Sequence, residues 1–202
     1  RDHCVTGVQT CALPIWVPST GQLDAMGPVM AEQRPTNAAP DHPPQRLSAE
    51  RLQGNTQTQA YTLLGAVRFE DGGPSQRFEG RDVHLDLKGQ SGTTALPFTF
   101  TRGALQGSGS GLRVLLKQGL AQIENQCRVS QPGETLEAQR CQWNWLTGAV
   151  EAHGSVVLRR QANQQESRAD ELVGSLAQGG SVTISSPGGK VTSRFQIPRQ
   201  RR

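Results

Sequence analysis

Two stretches of the chain are copies of one pattern, and both alternate apolar and polar residues. LSAERLQGNTQTQAYTLLGAVRF (Leu47 to Phe69) aligns without a gap to LEAQRCQWNWLTGAVEAHGSVVL (Leu136 to Leu158), with nine identities in 23 positions at an offset of 89. Composition alone would give roughly one or two such identities, so the repeat is real. Each copy holds an L-x-A-x-R segment, a polar turn and then Gly-small-Val-x-apolar, the mark of half-buried strands joined by short turns. Gly148 falls at the turn of the second copy. Gly65 and Gly154 fall at matching strand positions, where a bulge or a close backbone approach is expected. The alternation runs beyond the copies. Val67 and Phe69 share a face, as do Val83, Leu85 and Leu87, then Leu112, Val114 and Leu116, then Val156 and Leu158, then Val182 and Ile184. On the opposite parity lie Asp82, His84, Asp86, Arg113, Lys117 and Arg159. Short strands with one apolar face, repeated in this way, predict an elongated antiparallel sheet folded over on itself, its inward face forming a groove.

Composition agrees. Aromatic residues are 4%, hydrophobic residues 34%, and there are 23 glycines in 202 residues, which favours an all-β chain rich in turns over a thick two-layer α/β core. The formal charge is +4, but Arg199, Arg201 and Arg202 supply three of those charges. The remainder is near neutral and gives no electrostatic footprint for nucleic acid. No apolar run approaches the length that spans a bilayer as a helix.

The organisation expected along the chain has four parts. Residues 1–15 are assigned to an artefact, because Val5 to Ile15 can be encoded by a common short-read sequencing adapter, with Arg1-Asp2 fitting its preceding part and His3-Cys4 a six-base index. On this view the natural start is missing. As a signal peptide the stretch fails, since Ala12 to Val17 is short and contains Pro14; as a zinc site it fails, since His3, Cys4 and Cys11 lack a fourth ligand. Residues 16–46 hold six prolines and no sustained period, and are expected to be a disordered linker. Residues 47–198 form the β domain, and 199–202 a basic tail, frayed and solvated rather than lipid-binding.

Chemistry-bearing residues are few. Cys127 and Cys141 flank a turn at Pro132-Gly133, and a hairpin centred near Glu134 puts them almost opposite each other. A cross-strand disulfide and two unpaired small apolar side chains both fit that placement; a disulfide implies an oxidising compartment. Asp82-x-His84-x-Asp86 presents three potential ligands on one strand face, but nothing completes a coordination set, and a solvated outer face is expected, with no metal. QGSGSG (Gln106 to Gly111) lacks the Gly-Lys-Ser/Thr ending of a phosphate loop and is expected to be a flexible loop. Trp143 and Trp145 share a face with Cys141, where packing over the edge of the fold is favoured over a sugar platform. Beyond residue 15 the histidines are His42, His84 and His153, without a nucleophile elbow or paired-carboxylate motif, so neither an enzyme nor a cofactor is expected.

CQWNWLTGAVEAHGSVVLRRQANQQESRADELVGSL, followed by VTISSPGGKVTSRFQIP, resembles the C-terminal half of LptC-type proteins of lipopolysaccharide export, particularly the cyanobacterial kind. The phrase A-x-G-x-V-x-L, here Ala152, Gly154, Val156 and Leu158, is similar to the strand motif that recurs across LptC, LptA and the OstA-like domain. The likeness is clearest from Cys141 to Pro198 and extends more weakly, through the repeat, from Leu47. It implies an open β-jellyroll, a periplasmic location, inner-membrane anchoring by a segment outside this sequence, and non-enzymatic carriage of lipopolysaccharide from an inner-membrane ABC transporter to an LptA-like bridge. Val67, Phe69, Val83, Leu85, Leu87, Val114, Leu116, Val156, Leu158, Val182 and Ile184 are then the candidate lipid-groove residues. A carbohydrate-binding β-sandwich and a structural β-repeat of the cell envelope are the alternatives.

Overall fold

A strand of eleven residues is roughly 36 Å long, several times the thickness of a sheet-on-sheet core, so it must bend to bury one face against itself. The computed structural model describes residues 8–10, 15–33, 43–73, 75–162, 164–175 and 181–195. It divides into two units, Arg1–Gly103 and Ala104–Arg202. The expected all-β class is what the chain adopts: apart from one short 3-10 turn, the regular elements described are strands, and the pairings within each unit are antiparallel.

The first unit holds β1 (Val8–Thr10), β2 (Ile15–Val17), β3 (Gln22–Gln33), β4 (Gln45–Asn55), β5 (Ala60–Glu70), β6 (Gln76–Asp86) and β7 (Ser91–Arg102). From β3 to β7 they pair in chain order, with β1 and β2 both on β3. The second unit holds β8 (Leu105–Leu115), a 3-10 turn (Leu116–Gln118), β9 (Leu120–Gln131), β10 (Glu134–Ala138), β11 (Arg140–Asn144), β12 (Ala149–Arg160), β13 (Gln165–Ser175), β14 (Val182–Ser185) and β15 (Thr192–Arg194). Here β8 pairs with β9, which pairs with both β10 and β11; these pair with β12, then comes β13, which carries β14 and β15.

The sequence repeat is a structural repeat. Adding 89 to the bounds of β6 gives those of β13, and β12 begins 89 residues after β5. The counterpart of β4 is interrupted at Gln139 and becomes β10 and β11. Gly65 and Gly154 lie at matching register shifts, between Leu63 and Ala66 and between His153 and Val156, and share a φ of +76°. That left-handed value is open to glycine at little cost. Comparable shifts interrupt β3, β4, β6 and β8 near their middles. Bulges bend the strands that carry them, so a line of them creases the sheet. In the first unit the crease brings Leu52, Leu63, Val83 and Leu85 from one side into a single cluster with Leu47, Val67 and Phe78 from the other.

Three expectations require correction. The stretch read as a disordered linker contains most of β2 and all of β3; the prolines concealed an alternation of Leu23, Ala25, Val29 and Ala31 interrupted at Gly27-Pro28. Pro28 is tolerated because it sits in the register shift between Met26 and Val29, where the ladder is already broken. QGSGSG is strand, not loop: it lies in β8, and a side chain on Gly109 would strike Ile123 Cγ2. The hairpin about Pro132-Gly133 pairs Cys127 with Ala138, not with Cys141. Val8–Thr10 and Ile15, from the stretch assigned to an adapter, extend the edge of β3, whose free backbone groups accept any extended segment. His42 and the 199–202 tail lie outside the described residues.

Candidate binding interior

The register sorts the inward side chains of the first unit into rows that run across the strands. On one side of the crease Ala25, Leu52, Leu63 and Val83 stand side by side, followed nearer the turns by Leu23, Gly54, Tyr61, Leu85 and Gly92. On the other side Ala31, Leu47, Phe69, Phe78 and Phe100 form a row, and Phe78 stacks on Phe98 with centroids 6.0 Å apart. Gly54 and Gly92 make room: a Cβ on Gly54 would collide with Tyr61, and one on Gly92 would press on Leu85 at 3.3 Å. Two clefts open at this turn end. One of about 250 Å³ is lined by Tyr61, Leu85 and His84, and another of about 370 Å³ by Val17, Leu23 and Gly54.

The second unit repeats the interior. Val156 and Leu158 are 1% and 3% exposed, and the counterparts of Leu63 and Val83, Ala152 and Leu172, are also buried. Cys141 occupies the position equivalent to Leu52. Cys127 and Cys141 form a disulfide with Cα atoms 6.0 Å apart, both buried, linking β9 to β11 beside the interruption at Gln139. Among the described residues the buried polar side chains are Thr94 and Ser167, and both are satisfied: Thr94 Oγ1 donates to the Arg81 carbonyl at 2.7 Å, and Ser167 and Ser193 share a hydrogen bond of 2.8 Å. No ionisable group is among the buried side chains described. Such an interior offers chiefly apolar contact.

The sequence candidates divide accordingly. Val67, Val83, Val156 and Leu158 are buried, and Leu85, Val114, Val182 and Ile184 are partly buried. Phe69 lies in the inward row but is 37% exposed, whereas Leu87 and Leu116 project from turns and line no wall. Leu23, Ala25 and Val29 were missed behind the prolines. Leu172 and Ala152 were legible in principle, because the offset of 89 leads to them from Val83 and Leu63.

Among the described residues no charged side chain is buried. Arg51 grips Asp24 with two hydrogen bonds, of 2.6 and 3.0 Å, and with help from Gln53 holds its carboxyl below the ordinary value. Arg159 bridges Glu137 and Glu166 at 2.7 and 3.0 Å, which raises its own pKa; Glu166 is lowered by Arg168 first and then by Arg159. These pairs are solvated, so screening by water leaves each with a small net contribution. The triad Asp82, His84 and Asp86 is spent on local structure. Asp82 accepts from the Gly65 N–H at 2.8 Å, His84 Nδ1 meets Thr62 Oγ1 at 3.0 Å, and Asp86 accepts from the Gly89 N–H at 2.8 Å. Among the described residues no three His, Cys, Asp or Glu side chains are grouped to hold a metal, and no helix is long and apolar enough to cross a membrane.

No protein-family model matches the chain, and no curated protein matches it. Among solved structures it is similar to LptH of Pseudomonas aeruginosa, described as the LptA-homologous periplasmic component of the lipopolysaccharide transport device. The TM-score is 0.49 at 20% identity, over 55% of this chain and 83% of that one.

Proposed function

We propose that the chain is a non-enzymatic periplasmic carrier that holds the acyl chains of lipopolysaccharide between the creased halves of its sheet, during export from the inner to the outer membrane. The observation that carries this is the crease itself: within each unit the bent strands lend apolar side chains to an interior in which no charged side chain is buried among the described residues. Burial of an acyl chain there gains roughly 0.8 kcal/mol per methylene. The family resemblance supplies the rest of the proposal: an inner-membrane ABC transporter upstream, an LptA-like bridge downstream, and an inner-membrane anchor outside this sequence.

A structural β-repeat is the second reading, favoured by the 1% exposure of Val156, since a filled interior leaves no room for a ligand. Photo-crosslinking separates the two. A crosslinking residue at Phe69 or Val156 should capture lipopolysaccharide, and one at the outward Arg113 should not. Equal capture at all three positions, or none with the fold intact, overturns the carrier.

A further inference from the structure

The end of the second unit holds two turns that touch. One is the 3-10 turn Leu116–Gln118 with Gly119; the other follows β11 at Trp145 to Gly148. Leu116 is 57% exposed and Leu146 69%, and the ring of Trp145 lies 6.2 Å from that of Trp143. A side chain on Gly119 would collide with Leu146, which lies against it. Two bare leucines beside a tryptophan pair are not what a water-facing turn needs.

Much of the backbone of this tip is paired internally. The Gly119 N–H donates to the Leu116 carbonyl at 3.2 Å and the Trp145 N–H to the Gly119 carbonyl at 2.8 Å. Asn144 Oδ1 accepts from the Leu146 and Thr147 N–H groups, at 3.0 and 3.1 Å, while its amide donates to the Gln118 carbonyl. The Gly148 N–H donates to the Asn144 carbonyl and the Ala149 N–H to Thr147 Oγ1. Donors satisfied internally can leave water without the cost of broken hydrogen bonds. Lys117 is the one charged residue of the two turns. The nearest carboxylates along these strands, Glu124 and Glu151, are four and three residues from Leu120 and Gly148, roughly 10 Å or more back.

We infer that this tip inserts into the interface of an anionic lipid bilayer, with Leu116 and Leu146 in the acyl boundary, the tryptophans at headgroup depth and Lys117 against lipid phosphate. Tryptophan at the headgroup level and a cation beside exposed leucine are what that interface selects. The inference does not depend on the proposed cargo. Vesicle flotation of the full chain tests it, using phosphatidylcholine with and without phosphatidylglycerol. The chain should float with the mixed vesicles, and brominated lipid should quench its tryptophan fluorescence. Leu116→Ser with Leu146→Ser should weaken binding roughly tenfold or more while leaving the unfolding midpoint unchanged, as both side chains are exposed. Lys117→Glu should weaken binding to the anionic vesicles alone. The arginines of 199–202 are present in every variant, so their contribution cancels in the comparison. Failure to float, binding unaltered in the double-leucine variant, or loss of a concentration-dependent dimer in place of vesicle binding would overturn the assignment.

Discussion

Replacing Gly154 by alanine tests the crease directly. The residue has φ +76°, where an L side chain costs about 1–2 kcal/mol. The new Cβ would also stand 2.8 Å from Gln139 Cδ, so the glutamine must leave its rotamer at about 0.5–1.5 kcal/mol. The sum is about 1.5–3.5 kcal/mol, which for a chain of this length lowers Tm by roughly 3–14 °C. Gly133→Ala is the matched control. Its φ is +81° but nothing lies within 4 Å of the added Cβ, so only the backbone cost applies. Urea unfolding followed by circular dichroism should rank Gly154→Ala as the more destabilising by about 1 kcal/mol, and a Gln139→Ala background should shrink that difference, although the Cβ of residue 139, 3.0 Å from the new Cβ, remains. Equal costs at the two glycines, or a difference undiminished in Gln139→Ala, would refute the claim that Gln139 closes over the bulge.

Alkylation of Cys127 and Cys141 in protein from an oxidising compartment should fail until a reductant is added; reduction of a loop of this size should cost roughly 3 kcal/mol in denaturant unfolding. Deleting residues 1–15 removes β1 and the start of β2 from the edge of β3 but should leave a cooperatively folded domain; loss of the folding transition would refute the assignment of this stretch to an artefact. Asp24 has its pKa lowered by Arg51, so its contribution is fully present above the ordinary carboxylate value near pH 4 and is lost as pH falls through the lower folded value. Asp24→Asn should therefore flatten the acid limb of a Tm-against-pH curve, and an unchanged limb would show that the pair contributes nothing. Val156→Asp should unfold the second unit if the interior is filled, and should leave the fold and abolish lipid capture if acyl chains can part the walls.

The strands were legible where alternation was unbroken. Val83 to Leu85 and Val156 to Leu158 announced both their extended form and their inward parity, because period two is the geometry of the pleat. β3 was hidden, since Gly27 and Pro28 interrupt its pattern and count towards a linker by composition, although at a bulge they are at home. The glycine-rich run in β8 misled in the same way: its glycines serve close approach to Ile123 and Glu124, a requirement set by a neighbouring strand and invisible in local sequence. The exposure of Leu87 and Leu116 was equally hidden, because parity assigns a face only while the residue stays in the ladder, and both leave it for a turn. Parity alone could not distinguish an open trough from a filled core either, as both require the same alternation.

The two copies differ at the point where they bend, which indicates what the duplication maintains. In the first, Glu50 folds over Gly65, its carboxylate accepting the Ala66 N–H at 3.0 Å while Asp82 accepts the Gly65 N–H. In the second, Gln139 stands where Glu50 does, and its own backbone N–H donates to the Gly154 carbonyl at 2.8 Å. The first solution keeps β4 continuous; the second breaks its counterpart into β10 and β11, and the disulfide links β11 to β9 beside that break. The partners change from a carboxylate to a backbone donor, yet φ at the glycine is the same in both. A site tuned to a polar ligand would have kept the chemistry and let the backbone vary. Here the backbone angle is common and the chemistry is exchanged, so the repeated element is the bend, and what the bend provides is an apolar interior walled by both halves of each strand.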